Sequence, residues 1–148
     1  MKLVNAMLDY KKPWKWPDIY LFTGNTTITK DKRLVMGRGA AKEVRDTYPG
    51  IDKRISINSG VSFTTIDPNW KIYDEIQYIG YFKVKEHFRD KAKLSLIRHS
   101  TQELDWFAKE FPNNTFHMNF PGIGAGGLPY EEVLEIVLPL PDNVILYV

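Results

Sequence analysis

Apolar positions along the chain change their period several times, and each change marks an element. Lys2–Leu8 is a short apolar run and predicts a first strand. Asp9–Pro17 holds two Pro, two Trp and three Lys, which reads as a loop with aromatic anchors. Asp18–Thr23 encloses Ile-Tyr-Leu-Phe, a nearly continuous apolar run expected of a strand covered on both faces. From Ala40 the spacing lengthens. Ala40, Val44 and Tyr48 lie on one helical face, and Tyr48-Pro49-Gly50 stops that helix. Ile55–Thr65 is rich in β-formers without a clear boundary. Ile76, Tyr78, Gly80, Phe82 and Val84 alternate as in a strand. Leu94, Ile97, Ser100, Leu104, Phe107 and Phe111 then follow the three-to-four spacing of a helix of about twenty residues. Pro112-Asn113-Asn114 is a turn, and Thr115–Asn119 a short strand. Pro129 suits the first position of a helix carrying Val133, Leu134, Val137 and Leu138. Pro139–Asp142 ends it, and Asn143–Val148 is a last strand.

Strands and helices in this order predict an α/β protein, a three-layer α/β/α sandwich with a central mixed sheet. There is no internal repeat and no linker-like stretch, so residues 1–148 are expected to form a single domain. Composition narrows the class further. Hydrophobic residues make up 43% of the 148, enough for a core. No apolar run approaches the ~20 residues that span a bilayer, and the opening residues are too polar and too short for a signal peptide. Cysteine is absent, which removes disulfides, thiolate nucleophiles and Cys-based zinc sites together. These features lead to the expectation of a cytoplasmic protein without membrane partners. His87, His99 and His117 show no metal-ligand spacing, so neither a metal nor a cofactor is expected. Net charge is +2, from 20 basic and 18 acidic residues. Lys and Arg nonetheless crowd at 30–45 and 83–98, a pattern that a small anionic ligand explains as well as a polymer does.

Two loops carry the candidate chemistry. The first runs from Thr23-Gly24-Asn25-Thr26 through a polar excursion to Val35-Met36-Gly37-Arg38-Gly39-Ala40-Ala41, after a strand and before a helix. The second is Phe120-Pro121-Gly122-Ile123-Gly124-Ala125-Gly126-Gly127-Leu128, in the same strand-to-helix context. Glycines let backbone N–H groups approach an anion, and a helix N-terminus adds a favourable dipole. One such loop could be a plain turn; two together point to phosphate binding. Neither is a Walker A loop, since no Gly-Lys-Ser/Thr follows, and neither has Rossmann spacing.

These residues bear a resemblance. Gly24-Asn25-Thr26-Thr27, Arg33 through Ala41 and Tyr48-Pro49-Gly50 resemble the first binding loop and following helix of macrodomains. Gly122 through Leu128, with Tyr130-Glu131-Glu132-Val133, resemble their diphosphate-cradling loop. Phe82-Lys83-Val84-Lys85-Glu86-His87-Phe88-Arg89, followed by Leu94-Ser95-Leu96-Ile97, is similar to a segment of one macrodomain branch. That branch holds the DarG antitoxins, which remove ADP-ribose from DNA, together with ADP-ribose-1''-phosphate phosphatases and ADP-ribosyl-glutamate hydrolases.

The resemblance implies roles. Asp9 would accept from the adenine amino group. Asn25, within the Gly24-Asn25-Thr26 turn, would bond the distal ribose. Met36, Gly37, Arg38, Gly39 and Ala40 would line that ribose and the neighbouring phosphate. Gly124, Ala125, Gly126, Gly127 and Leu128 would wrap the diphosphate with backbone N–H groups, and Gly122 and Ile123 of the same loop would also bind the ligand. Lys85 would act as the catalytic group at the anomeric carbon of the distal ribose. In hydrolytic members a carboxylate commonly precedes the aromatic residue that opens the last helix; here Pro129 holds that position, with Glu131 and Glu132 in the first turn beyond it. Trp14 and Trp16 read as packing anchors that could instead flank adenine. His87 and His117 could serve as acid or base, but a lone His is more often structural.

The implied ligand is ADP-ribose or a close derivative, carried by a monomer. Two functions follow from the resemblance: hydrolysis of an ADP-ribosyl linkage or of ADP-ribose-1''-phosphate, on ADP-ribosylated protein or nucleic acid, or non-catalytic reading of ADP-ribose-type nucleotides. Lys85 favours the first and Pro129 the second.

Overall fold

A computed structural model describes residues 1–67 and 76–148. Six strands form one mixed sheet: β1 (Lys2–Val4), β2 (Asp18–Gly24), β3 (Val61–Thr65), β4 (Tyr78–Lys83), β5 (Thr115–Asn119) and β6 (Val144–Tyr147). Among the described residues three α-helices accompany them, α1 (Gly39–Thr47), α2 (Leu94–Glu110) and α3 (Tyr130–Val137), with a short 3-10 helix at Ile51–Lys53. The strand order is β1-β6-β5-β2-β4-β3. Every pairing is parallel except that of β3 with β4.

The alternation of side chains along each strand sorts the core into two halves. Ile19 and Leu21 of β2, Phe82 of β4, Phe116 and Met118 of β5, and Val144 and Leu146 of β6 meet Ile97, Leu104 and Ala108 of α2 and Val133 and Val137 of α3. The intervening Phe22, Ile79 and Tyr81 meet Ala41 and Val44 of α1, together with Leu8, Tyr10 and Trp14. One helix thus covers one face and two helices the other, which is the three-layer α/β/α arrangement. The central strands are buried on both faces, as parallel sheets require.

Several boundaries differ from the sequence pattern for identifiable reasons. The first strand stops at Val4, not Leu8. Val4 pairs with Tyr147, the last residue of β6, and the Val148 amide closes the ladder by donating to the Val4 carbonyl at 2.9 Å. Leu8 is spent instead on the α1-side core. In α1 the buried face is Ala41 and Val44, one residue on from Ala40. Pro129 is the N-cap of α3, with Tyr130 its first residue. Only Val61–Thr65 of the β-rich stretch pairs as a strand. Trp14 stacks on Tyr20 with ring centroids 4.2 Å apart and donates from Nε1 to the Tyr78 carbonyl at 2.7 Å. It is a packing anchor, and Trp16 lies against the Tyr78 ring.

Gly80 lies in β4, between β2 and the edge strand β3, in register with Leu21 of β2. A Cβ there would run into Leu21 Cγ and come within 2.8 Å of Phe63 Cε1. Both neighbours are held by the core, so neither can yield cheaply. Gly80→Ala should therefore lower stability by about 1–3 kcal/mol, the usual range for overpacking. A urea midpoint equal to that of the unsubstituted protein would contradict this packing.

Candidate functional site

Parallel pairing of β2 with both β4 and β5 brings three carboxyl ends to one edge of the sheet. The chain leaving β2 turns toward α1, and the chain leaving β5 turns toward α3 on the opposite face. Between them lies the point where strand order reverses, the place where open α/β sheets form crevices. A cleft of about 620 Å³ occupies it.

Of the residues singled out in the sequence, the cleft brings together Gly24, Asn25, Gly37, Arg38, Gly39, Ala40, Lys85, Gly122, Gly124, Ala125 and Gly126. Six others do not line it. Met36 is 1% exposed and packs in the α1-side core. Ile123 and Leu128 lean on the α2/α3-side core. Thr26 donates its hydroxyl to the Glu86 carbonyl at 2.9 Å. The Gly127 amide donates to the Gly124 carbonyl at 3.1 Å. Asp9 is exposed, and its carboxylate accepts from the Lys11 amide at 3.0 Å. The cleft also takes in residues to which the sequence assigned no role: Thr23, Phe88, Arg89 and Phe120, which belong to the motifs, and Asp90 and Asn119, which do not.

The two walls are built differently. On the α1 side the helix begins without a side-chain cap: Arg38 occupies the N-cap, makes no capping hydrogen bond, and no acid follows in the first turn. The first amides of the helix are therefore open to an anion. The N-terminus of α3 differs, since Glu131 and Glu132 fill its first turn and complement its dipole. Asn25 is 7% exposed and holds the first loop in shape. It donates from Nδ2 to the Val35 carbonyl at 3.0 Å and accepts from the Thr27 amide at 2.9 Å. The Tyr81 hydroxyl, whose pKa burial pushes well up, donates to the Asn25 carbonyl at 2.6 Å. At the floor, Asn119 donates to Thr23 Oγ1 at 3.0 Å, and the Tyr10 hydroxyl approaches Asn119 Oδ1 at 3.0 Å.

The lining glycines fall into two groups. Gly39 and Gly122 have φ of 57° and 77°, where side chains are strained. At Gly24 a Cβ would lie 2.8 Å from Tyr81 Cε2, and at Gly126 it would lie 2.5 Å from the Gly122 carbonyl oxygen. These four are fixed by the fold. Gly37 and Gly124 are not: a Cβ at either meets nothing within 4 Å, and neither has positive φ. The protein's own packing gives no reason for glycine there.

The electrostatics are asymmetric. Arg38, Lys85 and Arg89 line the cleft against a single carboxylate, Asp90. Lys85 donates from Nζ to the Phe88 carbonyl at 3.0 Å. Its pKa is held below the ordinary lysine value, chiefly by partial removal from water and then by the Arg38 guanidinium, while Asp90 opposes the shift. His87 accepts the Arg89 amide at Nδ1 (3.1 Å) and stacks on Phe88, outside the lining. His117 is bracketed by the Tyr147 hydroxyl at 2.8 Å and by Asp18 at 2.9 Å, away from the cleft. Among the described residues no group of three or more His, Asp or Glu is placed to hold a metal ion, and no helix is long and apolar enough to cross a membrane.

Comparison with known proteins places this architecture. No protein-family model matches the chain, and no curated protein sequence matches it. Solved structures do. The macrodomain of Mycobacterium tuberculosis DarG matches with a TM-score of 0.67 at 21% identity, covering 98% of this chain and 96% of that one. The macrodomain of Thermus aquaticus DarG matches with a TM-score of 0.67 at 22% identity, covering 99% and 95%. Thermosipho africanus DarTG, solved in complex with ADP-ribose, matches with a TM-score of 0.67 at 17% identity over 89% of this chain. The present chain spans 38% of the length of that Thermosipho protein. The chain has the macrodomain fold.

The division among the glycines can be measured without a ligand. Gly37→Ala and Gly124→Ala should leave the unfolding free energy unchanged or raise it by up to about 1 kcal/mol, because alanine restricts the unfolded chain. Gly126→Ala should lower it by about 1–3 kcal/mol, since its Cβ meets backbone. Equal losses at all three positions would erase the distinction.

Proposed function

We propose that residues 1–148 act as one macrodomain, a cytoplasmic monomer that binds ADP-ribose or a close derivative in this cleft. The observation that carries the reading is the pair Gly37 and Gly124, which face the cleft without any packing or backbone need for glycine. A ligand that approaches the backbone closely supplies that need. In the proposed pose the diphosphate lies between the uncapped N-terminus of α1 and the Gly122–Gly126 turn, where amides and the Arg38 charge meet it. The Thermosipho protein's complex with ADP-ribose supports the choice of ligand. The distal ribose then points toward Lys85.

We further infer hydrolysis of an ADP-ribosyl linkage or of ADP-ribose-1''-phosphate at the anomeric carbon beside Lys85. A lysine with lowered pKa presents a neutral amine more readily, or gives up its proton more readily, than a fully solvated one. ADP-ribosylated protein and nucleic acid are the substrate classes to compare. A second reading, non-catalytic capture of ADP-ribose, draws support from the hydrogen bond that engages Lys85 Nζ with the Phe88 carbonyl. Pro129, the N-cap of α3, also places no carboxylate at the mouth of that helix.

Calorimetry should give a micromolar Kd for ADP-ribose, about 8 kcal/mol, with AMP much weaker for lack of the distal ribose and second phosphate. Gly124→Glu should abolish binding while the unfolding midpoint holds, because its side chain has open space but its charge opposes the diphosphate. Absence of ADP-ribose binding at millimolar concentration would sink the reading.

Lys85→Ala separates the two functional readings. If Lys85 works in the transition state, turnover should fall roughly a hundredfold or more with ADP-ribose affinity little changed, and borohydride should trap an adduct if its amine attacks the ribose. Retention of full activity in Lys85→Ala would remove Lys85 from catalysis.

A further inference from the structure

We propose that Asp90 is the general base that activates water in this cleft; the proposal rests on the hydrolytic reading above. Whatever leaves the anomeric carbon, an ADP-ribosylated partner or an amine that has added to the sugar, hydrolysis ends with water bonding to that carbon. The water must lose a proton as it does so, and a positioned carboxylate serves that step. Among the described residues Asp90 is the only Asp or Glu that lines the cleft. Other acids nearby are engaged elsewhere. Glu86 pairs with Lys93 at 3.3 Å, and Glu131 and Glu132 occupy the first turn of α3, outside the lining. The carboxylate of Asp90 accepts no hydrogen bond and forms no ion pair with any described residue, so it is free to take a proton from water.

The segment that carries Asp90 is fixed at both ends. Its base is closed by the Lys93 amide donating to the Val84 carbonyl at 2.9 Å. On one side the first loop grips it: the Thr26 amide and hydroxyl donate to the Glu86 carbonyl at 2.8 and 2.9 Å, and the Phe88 amide donates to Thr27 Oγ1 at 3.0 Å. On the other side the Ala92 amide donates to the Gly126 carbonyl at 2.9 Å. Within the segment the Asp90 amide donates to the His87 carbonyl at 3.0 Å. Asp90 therefore hangs from a strut that spans the two glycine loops and also carries Lys85. The two side chains are close enough for Asp90 to favour the charged form of Lys85.

The step balances simply. The water oxygen bonds to the anomeric carbon and its proton passes to the Asp90 carboxylate. The bond from that carbon to the leaving atom breaks with its electron pair on the leaving atom. The leaving atom then takes up the proton that Asp90 releases.

The test uses the whole chain with three probes: an ADP-ribosylated oligonucleotide, an ADP-ribosylated protein and ADP-ribose-1''-phosphate. On whichever is turned over, Asp90→Asn should lower kcat about a hundredfold or more, within the range for a general base, with KM and ADP-ribose affinity within about threefold. Asp90→Ala should fall similarly and recover part of its rate with added formate or azide, which a merely structural or charge-balancing role would not allow. Asp90→Asn within twofold of the unsubstituted kcat, or no rescue of Asp90→Ala, would overturn the assignment while leaving the hydrolytic reading standing. No turnover of any probe by the unsubstituted protein would overturn both, whereas calorimetric binding of ADP-ribose would still test the cleft by itself.

Discussion

Everything at the cleft depends on β2 being paired in parallel on both of its edges. Gly24 sits in register with Lys83 at the end of β4, and Leu21 with Met118 near the end of β5. That double pairing buries Leu21 and Phe22 completely, on opposite faces. It also forces the chain to leave three strands at one edge within a few residues of each other. The exits must diverge, one toward α1 and the other toward α3, and the divergence opens a crevice that no side chain of the sheet can fill. Gly80 and Gly24 serve the same constraint from within, since Leu21 and Tyr81 lie where their side chains would otherwise be.

The loops above this edge are rigid for a reason that is local. A loop rich in glycine loses more conformational freedom on folding than any other, so it must be tied down to present a defined surface. Here the ties are hydrogen bonds between loops. Asn25 braces Val35 and Thr27, Tyr81 braces Asn25, and Thr26 and Thr27 grip the segment that carries Lys85. The second loop is braced in turn by Ala92 donating to Gly126 and Leu128 donating to Gly122. A group held in this way needs little reorganisation when a ligand arrives.

Much of this was legible in the order of residues, and the exceptions share one cause. The strand and helix periods were readable because burial imposes them on every residue of an element. The two glycine loops were readable because their composition departs from anything a simple turn needs. Within the loops, however, a run of flagged residues does not all face one way. Val35 and Gly37 line the cleft while Met36 between them enters the core, and Gly122 and Gly124 line it while Ile123 leans on α2 and α3. Local backbone direction decides this, in the second loop a turn with Gly122 at φ 77°, and a motif read as a block conceals it. Asn119 and Asp90 were given no role because neither belongs to a motif. The place of Asn119 follows from β5 lying beside β2, and that of Asp90 from the hydrogen bonds that hold its segment to Thr26, Thr27 and Gly126. A polar Asn closing an otherwise alternating strand, directly before the glycine loop, was the one local signal available.

The glycines supply the last step. Four of the cleft's glycines are held in place by backbone angle or by neighbouring atoms, and their conservation of space serves the fold. Gly37 and Gly124 answer to neither demand, yet they sit on opposite walls of the same crevice. Alanine at such positions would restrict the unfolded chain and so stabilise the protein. Two residues that forgo that gain, facing each other across an otherwise basic cleft beside an uncapped helix, leave a space bounded by amide donors and positive charge. An anion with its own volume is the occupant that such a space fits, and on the function proposed above that anion is the diphosphate of ADP-ribose.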